Sequence, residues 1–178
     1  MFHFYVVEDL ISLEVGEYLS DARSHLSAKV SDKYVDKVIG GVGLVVLVDD
    51  ILVQSEPKIM PNDACAMFTL RLRILVFAPG RDELLRGIVT SSDVTGISVS
   101  LGFFNDIKLI PLFMPPVSAF DADSSQWYTE VDGNRLYYKH QSEISFRVVD
   151  ISYNELNDLS GDEHLPVMLI IGAPVETV

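Results

Sequence analysis

Five aromatic residues, Phe103, Phe104, Trp127, Tyr137 and Tyr138, share the second half of the chain with the cations Arg86, Lys108, Arg135, Lys139 and Arg147. Rings that stack on bases, beside a few cations that meet phosphates, are what recognition of a single-stranded nucleic acid requires. Each stacked base is worth about 1–3 kcal/mol. Arg86, Phe104, Lys108, Arg135, Tyr137, Tyr138 and Lys139 are therefore candidate RNA contacts. Phe103 and Trp127 are assigned to core filling. Neighbours on a strand face opposite ways, so one of Tyr137 and Tyr138 must point outward. Charge limits what this set can do: residues 81–178 carry six Lys and Arg against fifteen Asp and Glu, within a chain of net charge −13. Long-range attraction to phosphates is absent, and weak, local RNA affinity is expected.

Other chemistries lack their residues. His3, His25, His140 and His164 are scattered without metal-ligand spacing. Asp49 and Asp50, as strand neighbours, are expected to point to opposite faces and so not to cooperate as acid and base. The segment Asp121-Ala122-Asp123-Ser124-Ser125 begins like a calcium loop, but Gln126 stands where the sharp turn needs glycine and Asp132 where the loop needs glutamate. Gly40-Gly41-Val42-Gly43 lacks the Lys-Ser or Lys-Thr of a phosphate cradle and leads into a strand. No catalytic constellation and no cofactor are expected. Cys65 is the single cysteine, which excludes an internal disulfide and a cysteine-built zinc site and points to a reducing compartment. The N-terminus has no basic start or cleavage site of a signal peptide. The longest apolar stretch, Val42 to Val48, is far short of the roughly 20 residues that cross a bilayer, so a soluble protein with no membrane partner is expected.

The elements that must position the aromatic set follow from periodicity. Ile97, Val99 and Leu101 alternate with Ser98 and Ser100, a half-buried strand running into Gly102-Phe103-Phe104. Leu84 to Ser91 is its hairpin partner, joined through Ser92 to Gly96. Further strands are expected at Gln126–Val131, Arg135–Lys139 and Glu143–Asp150, the first two joined by Asp132-Gly133. Val167 to Ile171 closes a small barrel of the oligonucleotide-binding type. Lys108 to Ser125 is interrupted by prolines and is too irregular to be one strand. Upstream, Phe2, Phe4 and Val6 alternate as a strand. Val15, Leu19, Ala22, Leu26, Val30 and Tyr34 then fall on one stripe of a helix. Val42–Val48 and Met67–Phe77 complete a sheet under that helix. The loop Pro57, Lys58, Ile59, Met60, Pro61, Asn62 and Asp63 holds two apolar side chains that are costly to leave in water, so it is a candidate protein contact. Proline and glycine at Pro79-Gly80 divide the chain into residues 1–80 and 81–178.

The run Val99-Ser100-Leu101-Gly102-Phe103-Phe104-Asn105-Asp106-Ile107, the later Glu143-Ile144-Ser145-Phe146-Arg147-Val148-Val149-Asp150, and Lys37-Val38 leading to Val42-Gly43-Leu44 carry a family resemblance. The chain resembles, from Met1 to about Ile171, the larger stalk subunits of nuclear RNA polymerases, most closely that of RNA polymerase III. The resemblance implies an α+β protein, with an N-terminal truncated ribonucleoprotein-like α/β domain followed by a C-terminal all-β S1/OB-type barrel. It implies a non-catalytic nuclear subunit that dimerises with a smaller helical stalk subunit. The N-terminal domain would dock on the polymerase core, here through Pro57–Asp63, while the barrel meets initiation factors and nascent RNA. Two positions depart from the family pattern. Pro61-Asn62-Asp63-Ala64 replaces Pro-Gly-Asp-Gly, and Phe77-Ala78-Pro79-Gly80 replaces Phe-Arg-Pro-Phe. The rival reading is a free-standing S1-barrel RNA-binding factor of processing or translation.

Overall fold

The computed structural model describes residues 1–60, 63–153 and 166–175, with the side chains of Val53, Gln54 and Met60 also left out. Two compact units follow one another, Met1–Ala78 and Pro79–Val178.

The first unit is a sheet over one helix. β1 (Phe2–Glu14) leads into α1 (Val15–Tyr34), followed by β2 (Val38–Ile39), β3 (Gly43–Gln54), β4 (Lys58–Met60) and β5 (Cys65–Phe77). The strand order is β1-β5-β3-β2, with β4 beside the start of β5, all antiparallel. β5 alternates up to Val76: Ala66, Phe68, Leu70, Leu72, Ile74 and Val76 are buried beneath the helix, while Thr69, Arg71 and Arg73 face out, and the terminal Phe77 is buried as well.

Helix α1 departs from the expected single stripe. Leu26 and Val30 are buried and Tyr18, Ala22 and Tyr34 pack beside them, yet Leu19 is 75% exposed. The cause is Asp21, whose φ of −146° and ψ of 84° break the helix. Its carboxylate accepts the Ser24 amide at 3.2 Å, so Asp21 caps the second segment from within and interrupts the stripe between Leu19 and Leu26. Lys29 fastens the first turn by bonding Glu17 at 2.7 Å and the Ser12 carbonyl at 3.1 Å.

At the other end, the Tyr34 hydroxyl donates to Asp9 at 2.7 Å and Lys33 pairs with the same oxygen at 2.6 Å. Burial and the neighbouring carboxylate push the Tyr34 phenol up to about 12. A phenol raised from its usual 10.0 holds its proton more tightly when folded, so its contribution to stability is present below pH 10 and is lost as pH rises towards 12. Tyr34→Phe should remove one late step from the phenolate absorbance titration and flatten the loss of stability across that alkaline window. Loss of a step near the ordinary 10.0 in place of the late one would show that the Tyr34–Asp9 contact does not form.

Two further expectations in this unit are corrected. A bulge sets Val48 opposite Ile74 and Asp50 opposite Arg73, with Asp49 as the extra residue. It interrupts the alternation expected of the two aspartates, and both are exposed. Asp49 is engaged by the Arg73 guanidinium. Lys58–Met60, expected as loop, is a short strand registered on Cys65–Met67, because those residues extend the ladder beyond the tip.

The second unit is a closed barrel. β6 (Leu84–Asp93), β7 (Gly96–Ser100), β8 (Ile107–Leu109), β12 (Glu143–Tyr153) and β13 (Met168–Pro174) close in the order β12-β13-β8-β7-β6, and β12 pairs back onto β6. Only the β13–β8 pair is parallel. A closed five-stranded barrel agrees with the expected oligonucleotide-binding type. Leu85, Val89, Ile97, Val99, Ile107, Leu109, Ile144, Phe146, Val148, Met168 and Ile170 are buried side chains of these strands. The β6–β7 connection is tighter than expected, only Val94 and Thr95 lying between the strands.

Between β8 and β12 the chain makes a 3-10 turn (Pro111–Phe113) and a separate three-stranded sheet of β9 (Ser118–Asp121), β10 (Gln126–Val131) and β11 (Asn134–Tyr137). Asp132 and Gly133, at φ 51° and 76°, form the two-residue turn between β10 and β11. Both positive angles suit a primed hairpin turn. The polar segment from Asn154 to Glu163 lies outside the described residues.

Candidate nucleic-acid interface

Gly102, at φ +90°, turns the chain out of β7. The turn is pinned from inside: the Leu101 amide donates to the Phe104 carbonyl at 2.9 Å, the Gly102 amide to the Ser100 hydroxyl at 2.9 Å, and that hydroxyl to Asn105 at 2.5 Å. The turn reverses the expected fates of the two phenylalanines. Phe104 is 6% exposed and Phe103 is 48% exposed. Straight-strand alternation does not survive a left-handed residue, so Phe104 folds inward while Phe103 stands at the surface. A stacking platform needs an open ring face, which Phe104 lacks.

The inserted sheet brings together a group that spacing alone did not reveal. Across the Asp132-Gly133 turn Tyr128 falls opposite Tyr137, with ring centroids 5.5 Å apart and planes at 48°. The Arg135 guanidinium lies 4.6 Å over the Tyr128 ring. The Tyr137 hydroxyl donates to Asp121 at 3.2 Å. Bonds from Ser124 and the Asp123 amide, with that of Tyr137, hold the Asp121 carboxyl below its usual range. Tyr128 and Asp121 were missed as candidates. Counting register outward from the two-residue turn is the signal that finds Tyr128. The cluster is an outward aromatic and cationic ledge with a carboxylate at its edge, able to stack against a planar group and donate from one guanidinium.

Trp127 occupies the opposite face. It is 7% exposed, as expected of a core residue, and its indole N–H donates to the Asp93 carbonyl of the β6–β7 turn at 2.7 Å. Trp127→Phe should lower stability by about 1 kcal/mol through the lost hydrogen bond. It should also speed amide exchange in β10 and β11 more than in β6. Equal acceleration throughout would show that this bond does not anchor the insert.

The remaining candidates are dispersed. Lys108 donates to the Thr95 hydroxyl, which in turn bonds Asp93, so its charge is committed to the hairpin turn. That threonine hydroxyl holds the Asp93 carboxyl below its ordinary value. Arg86 is exposed on β6 opposite Ser145. Tyr138 is half-buried and its amide bonds the Trp127 carbonyl at 2.9 Å, and Lys139 follows it, exposed. Arg135 and Tyr137 thus share one ledge, with Tyr138 and Lys139 next in the chain, while Arg86 and Lys108 sit on barrel strands.

Of the expected docking loop, Lys58 and Ile59 are exposed on β4, Ile59 by 65%. Pro57 is half-buried and Asp63 exposed. Pro61 and Asn62 lie outside the described residues, as does the Met60 side chain. Among the described residues no three His, Cys, Asp or Glu side chains gather into a metal site, and no helix is long and apolar enough to cross a membrane.

Comparison with known proteins places these features in a family. A family model described as RNA polymerase III subunit Rpc25 matches residues 83–165, a range that takes in the first barrel strand, the insert and β12. The DNA-directed RNA polymerase III subunit rpc8 of Schizosaccharomyces pombe is 32% identical over 158 residues, covering 81% of this chain and 76% of the relative. The rpc8 subunit of Dictyostelium discoideum is 29% identical over 154 residues, 86% of this chain, which spans only 61% of that relative's length. RPC8 of Saccharomyces cerevisiae is 28% identical over 150 residues, covering 83% of this chain and 71% of the relative. This chain belongs to the RPC8 family of DNA-directed RNA polymerase III subunits.

Proposed function

We infer that this chain acts as the larger stalk subunit of RNA polymerase III, contributing surfaces and no catalysis. The observation that carries the reading is the match to a polymerase III subunit over 81% of this chain, more than either unit alone contains. The N-terminal unit serves as a truncated ribonucleoprotein-like docking domain, and the tip Pro57 to Asp63 meets the polymerase core. A protein role for this unit is supported by β1, which is the outer strand of its sheet and leaves Phe4, Val6 and Leu10 exposed by 62%, 49% and 58%. Edge strands with uncovered apolar side chains are rarely left unpaired in solution. A smaller helical stalk subunit is the partner assigned to this domain.

The barrel and insert work close to nascent RNA and help engage initiation factors, in the nucleus. Their affinity for RNA is low, because the unit is acidic and its exposed rings are few. Phe103 takes the stacking role expected of Phe104, alongside Arg135, Tyr137, Tyr138 and Lys139. Tethering to the polymerase raises the local RNA concentration that charge does not.

Affinity purification of the tagged full chain from its own cells tests the assignment. The largest polymerase III subunits should be recovered together with one small partner. Recovery of neither, from a chain that alone binds single-stranded RNA tightly and with steep salt dependence, would replace the stalk reading with that of a free-standing RNA-binding factor.

A further inference from the structure

A cleft of about 550 Å3 opens on the barrel where the 3-10 turn meets the middle of β12 and the end of β13. Phe113, Met114, Pro115, Val149 and Pro174 are among its apolar lining. Val149 is the extra residue of a bulge, set between Val148 opposite Gly172 and Asp150 opposite Ile171. Bulges re-aim a side chain that regular alternation would place elsewhere, and this one supplies an apolar wall outside the barrel. Phe113 is 36% exposed and the adjoining Leu112 is 78% exposed, so the apolar lining continues onto the surface.

Two charged residues also line the cleft, Arg147 and Asp82. Arg73, Arg81, Lys29 and Lys33 are each held by a carboxylate. Arg147 makes no ion pair or side-chain hydrogen bond among the described residues, in a chain with twice as many acidic as basic side chains. An uncommitted guanidinium beside an apolar floor calls for an anion attached to apolar side chains. A polynucleotide does not satisfy that pattern: Arg147 is the single cation of the lining, so the floor offers no row of cations for successive phosphates. A peptide does, since a leucine-sized side chain fills the floor, a neighbouring carboxylate meets Arg147 in a charge-assisted bond, and backbone amides can face Asp82.

We propose that this cleft is a docking site for a short apolar segment of a partner protein, bearing an Asp or Glu that pairs with Arg147. The site stands apart from the stalk assignment and can be tested on the isolated full chain. The probe is an acetylated, amidated heptapeptide of sequence Ser-Gly-Leu-Glu-Leu-Gly-Ser, compared with versions carrying Gln or Lys at the centre. In amide-resolved NMR titrations the glutamate probe should shift the signals of Phe113, Arg147, Val149 and Ala173. The lysine probe should bind at least about tenfold more weakly, and Arg147→Glu should reverse that order.

Equal binding of all three probes would overturn the proposal. So would the absence of shifts at about 5 mM probe, where even millimolar affinity is visible. A single-stranded oligouridylate that moves the same signals would make the cleft an RNA site instead. Nuclear Overhauser contacts from residues 176–178 to the Phe113 ring would make it a seat for the chain's own end.

Discussion

Gly96→Ala is expected to cost about 2–6 kcal/mol, a large share of the about 5–15 kcal/mol that holds a typical domain folded. Gly96 opens β7 at φ +142°, a region that side chains rarely adopt. A Cβ there would lie 2.3 Å from the Leu109 carbonyl oxygen and 3.2 Å from its carbon. Both are backbone atoms of β8, whose ladder with β7 sets Ile97 opposite Leu109, so no side chain can swing away. Relief requires the β7–β8 pair to part, and β8 also carries the parallel pairing with β13 that closes the barrel. Gly102→Ala is the control. Its φ is +90° but its Cβ would meet nothing within 4 Å, so backbone strain of about 1–2 kcal/mol is the whole cost. Urea unfolding followed by the fluorescence of Trp127, the single tryptophan, reads both. Equal midpoints for the two variants would show that Gly96 does not lie against the β8 backbone.

Much of this architecture is legible in the chain because it rests on local periodicity. The alternation of β5, the strand ending at Ser100 and the Asp132-Gly133 turn each follow from residues within a few positions of one another. What escapes the sequence is set by capping, bulges and distant pairing. Asp21 reads as a wet-face helix residue, and only its bond to the Ser24 amide shows that it ends one segment and starts another. β8 has three residues and gains its place from partners on both sides, one of them about sixty residues away in β13, so nothing local announces it. The candidate interface divides in the same manner. Arg135 and Tyr137 could be named from residue type, whereas Tyr128 and Asp121 join them through cross-strand register and a turn hydrogen bond.

Phe104→Ala and Phe103→Ala separate stability from recognition at adjacent positions. Removing Phe104, 6% exposed, should leave a cavity and cost about 3 kcal/mol. Phe103, 48% exposed at a pinned turn, should cost within about 1 kcal/mol. For RNA the order reverses. Loss of one stacking ring removes about 1–3 kcal/mol, a roughly 5- to 150-fold weakening, whereas a buried ring contributes nothing a base can reach. The two effects are kept apart by measuring oligouridylate binding at low salt and well below each variant's unfolding midpoint. Should Phe104→Ala weaken RNA binding while leaving the unfolding midpoint unchanged, the Gly102 turn would be oriented the other way and Phe104 would be the platform. Should both variants bind as the parent does, the stacking would belong to the Tyr128–Arg135–Tyr137 ledge. The Gly102 turn would then serve only to bring Phe104 into the barrel core.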